Sequence, residues 1–221
     1  MENRGKSGSL QVASQTASNV AAVDAPARIA EVARKTRETA IKLSLKLDGT
    51  GAAAISTGVP FLDHMLDSFA RHGFFDLQVA AQGDVHIDDH HTVEDVGIVL
   101  GRAFREALGD RSGIRRFGEA TVPLDEALCT AVVDISGRSY LAYNLTIREE
   151  RVGAFQTTLL HDFMKALADE TGMNLHLNLQ SGRNPHHIIE ATFKALARAM
   201  DMATSREPRV SGALSTKGTL S

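Results

Sequence analysis

His86-Ile87-Asp88-Asp89-His90-His91-Thr92-Val93-Glu94-Asp95 crowds seven proton- or metal-binding side chains into ten residues. With a helix starting near Asp89, His90 and His91 stand four and three residues before Glu94, each one turn from that carboxylate. Adjacent helical positions diverge by about 100°, so the two imidazoles point to different ions, and the pattern implies two metals, one per histidine. It recurs about a hundred residues later as His186-His187-Ile188-Ile189-Glu190. A lone buried histidine is more often a hydrogen-bonded core residue than a ligand. Two HHxxE copies at equivalent places in a repeated chain reverse that balance.

The repetition extends outward. A shift of 96 residues lays His90, His91, Glu94, Leu100, Arg102 and Ala103 on His186, His187, Glu190, Leu196, Arg198 and Ala199, and a shift of 98 lays Leu77 on Leu175. In the first half, Ile41, Leu43, Leu45 and Leu47 alternate with Lys42, Ser44, Lys46 and Asp48. This period of two predicts a half-buried antiparallel strand ended by an Asp48-Gly49 turn, with a short strand at Ala53 to Thr57 completing a hairpin. Pro60 opens a helix carrying Phe61, Leu62, Met65, Leu66 and Phe69 on one face and ending at Gly73. A strand at Asp76 to Ala81 and a helix over 89–108 follow. The second half repeats this order: strands at Leu124 to Ile135 and Tyr140 to Ile147, a helix over Phe155 to Glu170, a strand at Asn174 to Gln180, and a helix over Pro185 to Ala203.

The expected fold is therefore α+β: two duplicated strand-strand-helix-strand-helix halves, 28–120 and 121–204, each an antiparallel sheet with both helices on one face. Residues 1–27, rich in Ser, Ala, Gln and Asn without an apolar period, read as a disordered leader. Organellar targeting by this leader stays open, although Arg4 is its sole arginine before Arg28. Residues 205–221 form a C-terminal tail.

Composition narrows the function. A net charge of −3 argues against nucleic-acid binding, so any anionic ligand must be caught by local basic residues. The single cysteine, Cys129, excludes an intrachain disulfide and reads as a small buried hydrophobe. No run of eighteen apolar residues supports a membrane span, and the expected location is the cytoplasm.

Two sites of three histidines and one carboxylate would need one more ligand from each half. His64, on the polar edge of the Pro60 helix, is the first-half candidate. In the second half the 98-residue shift brings Asp162 opposite His64, with His161 beside it; register favours Asp162 and residue type favours His161. Nitrogen and carboxylate donors without cysteine suit manganese, and zinc or iron fits the ligand set nearly as well. Asp63, Asp88, Asp89 and Asp95 are natural partners for imidazole N–H groups. His86-x-Asp88-Asp89-His90 also hints at the HxHxDH run of metallohydrolases, with Asp88 where that run needs a histidine. A metal-binding assembly protein is a further alternative, needing the histidines alone.

Phe61-Leu62-Asp63-His64-Met65-Leu66, the run from Gly83 to Asp95, and His186-His187-Ile188-Ile189-Glu190-Ala191 together resemble the imidazoleglycerol-phosphate dehydratases of histidine biosynthesis, over about Arg28 to Ser221. The resemblance implies a ribosomal protein S5 domain 2-like fold and a large hollow homo-oligomer, a 24-mer, with active sites between subunits. It implies a dehydration of imidazole glycerol phosphate to imidazole acetol phosphate that depends on two Mn2+ per active site. One ion would take His64, His91, His186 and Glu190; the other, His90, Glu94, His187 and Asp162. Metal-gripped ring nitrogens would make the ring an imidazolate able to expel hydroxide through a diazafulvene-like intermediate. Glu38 would be the catalytic acid/base, with Glu94 and Glu190 also in catalytic positions and His72 as a substrate contact beside His64, His90 and His186. Arg116, Arg138 and Lys217 would clamp the phosphate, and the tail would order over bound substrate. Without the resemblance, Glu38 reads as a solvated charge, His72 as a helix C-terminal cation, and the three basic residues as solvated turn and tail residues.

Overall fold

The alternation over Thr39–Lys46 is a strand with Ile41, Leu43 and Leu45 buried and Lys42 exposed. The computed structural model describes Met1 and residues 27–220; the leader expected over 1–27 lies, but for its two ends, outside the described residues. Within them, the first half comprises β1 (Ile29–Lys35), β2 (Thr39–Lys46), β3 (Ala53–Ser56), α1 (Pro60–Gly73), β4 (Asp76–Gly83) and α2 (His90–Leu108). The second comprises β5 (Phe117–Leu124), β6 (Ala127–Asp134), β7 (Tyr140–Asn144), the small pair β8 (Arg151–Val152) and β9 (Phe155–Gln156), then α3 (Leu159–Thr171), β10 (Asn174–Ser181) and α4 (Pro185–Thr204). No helix among the described residues is long and apolar enough to cross a membrane.

The two main sheets share one topology, β1-β2-β4-β3 and β5-β6-β10-β7, so the α+β class and the duplication both hold. Three details differ from expectation. Each half opens with one strand more than the alternation suggests, β1 and β5, both at sheet edges. β3 does not form a hairpin with β2; it pairs in parallel with β4, as β7 does with β10, so both sheets are mixed. The Asp76 carboxylate is the cause in the first half. It accepts from the backbone N–H groups of Thr50 at 2.7 Å and Ala52 at 3.1 Å, drawing the segment after β2 across to β4. The third difference is at Phe155, expected to begin a helix: Phe155 and Gln156 instead close the β8–β9 pair, turned at Gly153 (φ +59°), and α3 starts at Leu159.

Each sheet offers one apolar face. α2 packs on β1 and β2, and α4 on β5 and β6. The helices then meet across the halves, α2 with α3 and α1 with α4, leaving the four helices between two sheets. One apolar cluster runs through both halves, including Leu45, Leu77, Phe104, Phe163, Leu175 and Phe193, each at most 2% exposed.

The α2–α3 contact is close because α2 presents Gly97 and Gly101 one turn apart. A Cβ on Gly97 would stand 2.8 Å from the Phe163 carbonyl oxygen, and one on Gly101 would stand 2.9 Å from that of Leu167. Glycine to alanine inside a helix ordinarily stabilises by roughly 1 kcal/mol. Here the clash should reverse the sign. Gly97→Ala is expected to cost about 1–3 kcal/mol, seen as a melting temperature several degrees lower; an unchanged or higher value would refute this account of the helix contact.

Candidate metal centre and anion cavity

The start of α4 is fixed locally. Pro185 occupies the first turn, and the Asn184 side chain accepts from the His186 backbone N–H at 2.9 Å. Helical spacing then puts His186 and Glu190 on one face, with Nε2 to Oε2 at 3.1 Å. Across the α1–α4 contact, His64 Nε2 lies 3.5 Å from the same Glu190 oxygen. One ligand atom from each of these three residues lies within 4.8 Å of the others, the one such group of three among the described residues. Neighbouring ligands on an octahedral ion with bonds of about 2.1 Å are roughly 3 Å apart, so the spacing fits, and nitrogen and carboxylate donors suit a manganese-like ion.

Burial raises the Glu190 carboxyl, but the Lys194 ammonium 2.7 Å away, with His186 and His64, outweighs it and holds the group below its usual range. His72, at the end of α1, senses the same surroundings. Burial and the Lys194 charge lower it, against a smaller opposing pull from Glu190, so it is neutral at pH 7.

A second cluster spans the α2–α3 contact in the same way. His90 Nε2 and Glu94 Oε2 are 4.0 Å apart, and His90 Nδ1 is 3.6 Å from Asp162 Oδ2. His161 instead sets its ring edge-on to Tyr143, with centroids 5.1 Å apart, and its Nδ1 lies 3.3 Å from Asp162 Oδ1. Of the two second-half candidates, Asp162 is the one whose carboxylate faces His90. Each cluster thus draws one residue from the first helix of one half and two from the second helix of the other.

The remaining histidine of each HHxxE turns away from its cluster. His91 Nδ1 meets Asp84 at 3.1 and 3.2 Å, and His187 Nδ1 meets Glu126 Oε2 at 2.8 Å. These hydrogen bonds raise both imidazoles above their ordinary value. Glu126, held chiefly by the Asn184 backbone N–H and then by His187, is pulled down to about 2. Sequence reasoning missed both carboxylates and named others. Asp63 accepts from Thr57 N–H at 2.9 Å, Asp88 from His90 N–H at 3.0 Å, and Asp95 takes Arg34 at 3.1 Å together with the Thr39 hydroxyl. Asp89 sits beside Asp88, and burial with that charge raises it. His86 is exposed in the turn closed by Ile87 N–H and the Asp84 carbonyl.

Arg116, Arg138 and Lys217 line one cavity of about 770 Å³, joined by Arg209, Ser215 and Thr216. Arg116 forks onto Asp134 at 2.7 and 3.0 Å and donates to the Leu214 carbonyl at 2.7 Å. The tail is further held by Gly113 N–H to the Gly212 carbonyl and by Arg111 to the Leu220 carbonyl. Glu38 is exposed in the β1–β2 turn, and its charge adds to the effect of Asp84 in raising His91.

Known proteins share this sequence and fold. Residues 57–200 match the family model of imidazoleglycerol-phosphate dehydratase. The chain is 58% identical to the imidazoleglycerol-phosphate dehydratase of Geobacter sulfurreducens over 193 residues, covering 87% of this chain and 99% of that one. With that of Geobacillus kaustophilus it shares 56% over 194 residues, 88% and 100% of the two chains. Among solved structures, the Staphylococcus aureus imidazoleglycerol-phosphate dehydratase superposes with a TM-score of 0.74 at 39% identity, over 81% of this chain and 99% of that one. The Pyrococcus furiosus enzyme gives 0.74 at 38%, over 86% and 100%.

The Arg116 contacts make a direct forecast about the tail. Arg116→Ala removes the hydrogen bond to Leu214 while Asp134 loses its partner. Trypsin cleavage after Arg209 and Lys217 should quicken by roughly tenfold, the weight of one charged hydrogen bond. Equal cleavage rates would show that Arg116 does not hold the tail.

Proposed function

The chain belongs to the imidazoleglycerol-phosphate dehydratase family, hydro-lyases of histidine biosynthesis, and from that premise we propose that it removes water from D-erythro-imidazole glycerol phosphate to give imidazole acetol phosphate, with two Mn2+ at each active site. The observation that carries the metal reading is the convergence of His64, His186 and Glu190 from two halves of the chain. His90, Glu94 and Asp162 supply a counterpart of the same construction.

Each cluster is one histidine short of the set that the family resemblance implies. His91 and His187 are the missing members, and each is turned instead toward its own carboxylate. This supports active sites between subunits of a homo-oligomer, a 24-mer in our reading, with His91 and His187 completing the sites of neighbouring copies.

The elimination expels the hydroxyl from the carbon attached to the imidazole ring and takes a proton from the next carbon of the side chain. Proton and hydroxide leave together as water, and the resulting enol becomes the ketone. Metal held by His64, His186 and Glu190, and by His90, Glu94 and Asp162, would supply positive charge where electron density builds on the ring. Glu38, exposed at the tip of its turn, moves protons at the carbon skeleton, while Glu94 and Glu190 contribute as charged groups facing the ring. His72, neutral beside Lys194 and Glu190, hydrogen-bonds the substrate. Arg116, Arg138 and Lys217 hold its phosphate, and the 205–220 segment closes over it. The net charge of −3 makes such local basic groups necessary.

Stripping metal should abolish turnover of imidazole glycerol phosphate, and Mn2+ should restore it, with ketone formation as the readout. In the metal-loaded protein, Glu38→Gln should lower kcat by about 10²–10⁴ with little change in Mn2+ content. A wild type that binds Mn2+ yet makes no ketone overturns the proposed reaction. Equal activity in the variant removes the role of Glu38 alone.

A further inference from the structure

His91 and His187 follow His90 and His186 by one residue, so helical rotation swings them about 100° from the clusters those residues join. A neutral imidazole carries one N–H and one lone pair, and the partner of one nitrogen decides what the other can do. Both rings have a carboxylate on Nδ1. Glu126, in the β5–β6 turn, places Oε2 at 2.8 Å from His187 Nδ1. Its other oxygen accepts from the backbone N–H groups of Arg183 at 3.1 Å and Asn184 at 2.8 Å, the two residues that lead into α4. One carboxylate therefore ties the ring to the backbone that launches its helix. Asp84, immediately after β4, puts both oxygens on His91 Nδ1 at 3.1 and 3.2 Å. Of the four histidines of the two HHxxE runs, these two alone have their Nδ1 in a hydrogen bond to a carboxylate. On the opposite side of the His187 ring, Nε2 lies 3.8 Å from the largely exposed Asp125, beyond hydrogen-bonding distance.

We infer that Asp84 and Glu126 are positioning residues that hold His91 and His187 as the Nδ1–H tautomer, so that each presents Nε2 as its metal-binding nitrogen. The inference rests on the reading above, in which His91 and His187 ligate. The two carboxylates come from different places, the end of a strand in one half and a hairpin turn in the other, yet meet equivalent rings. Because His91 and His187 belong to different ions, each carboxylate governs one class of site.

The test uses the full chain in its native assembly, stripped of metal and titrated with Mn2+, free ion being followed by electron paramagnetic resonance. Wild type should bind two ions per chain. In Glu126→Gln the amide oxygen can still accept from Arg183 and Asn184, but its NH2 group now faces Nδ1 and drives the ring proton to Nε2. One class of site should weaken by about 10–100-fold and the other should keep its affinity. Asp84→Asn should do the same to the opposite class. Glu126→Asp, which keeps the acceptor character, should bind within a few-fold of wild type and shows whether the Gln variant failed through tautomer or through folding. If Glu126→Gln does not assemble, Asp84→Asn decides by itself. Two ions at wild-type affinity in both amide variants, or an equal loss in Glu126→Asp and Glu126→Gln, overturns the inference. A wild type that binds no Mn2+ overturns the metal reading beneath it.

Discussion

Neither half of this chain can cover its own helices. α2 and α4 each lie on their own sheet, but the outer flanks of α1 and α3 are covered only when α1 meets α4 and α3 meets α2. Apolar burial at about 25 cal/mol per Å² therefore rewards docking of the halves as well as completion of each. The same docking assembles the chemistry, because His64 reaches His186 and Glu190, and Asp162 reaches His90, only across those helix contacts. Gly97 and Gly101 let α2 and α3 approach closely enough for the second of these meetings. Stability and ligand geometry are thus one requirement on the same pairs of helices.

Within each HHxxE run, helical phase divides the labour. Positions i and i+4 share a face and become a cluster; position i+1 is rotated away and meets a carboxylate brought from outside the helix. The run is short in sequence yet addresses two directions in space. That explains why one chain carries the elements of the two proposed metal sites and completes neither set of four implied by the resemblance.

Much of this was legible in the residues. Ligand spacing on a helix is local, and Ile41, Leu43, Leu45 and Leu47 alternate cleanly because one face of β2 is buried and the other is wet. The missed strands are the edge strands β1 and β5, where burial is partial; β5 even contains Gly118 and Pro123, which an edge tolerates because one side of it needs no ladder hydrogen bonds. The β8–β9 pair was equally silent. It separates Thr39 from Ala127 by 88 positions at β2 and β6, but Asp76 from Asn174 by 98 at β4 and β10, so the offset found at the helices could not be carried back to the first strands. Asp84 and Glu126 were hidden for another reason. Carboxylates near the histidines in sequence were already engaged, Asp63 by Thr57, Asp88 by a helix N–H and Asp95 by Arg34. Glu126 lies 61 residues from its ring and looks like any polar turn residue until the sheet brings it home.

The entrance and exit of the fold lie side by side. Arg28, one residue before β1, forks onto Asp48 and also donates to the carbonyl of Thr204, the last residue of α4. A body whose first strand and last helix are already tied can be opened elsewhere and closed there instead. Joining residue 204 to residue 28 through a short linker and cutting between α2 and β5 would give a circular permutant in which the second half is read first, without the 205–220 segment and the cavity residues it carries. Since each half carries the same sheet order and every ligand cluster is drawn from both, such a chain would keep each helix pairing intact. Which half comes first is thus a matter of synthesis order and has no bearing on the docked structure.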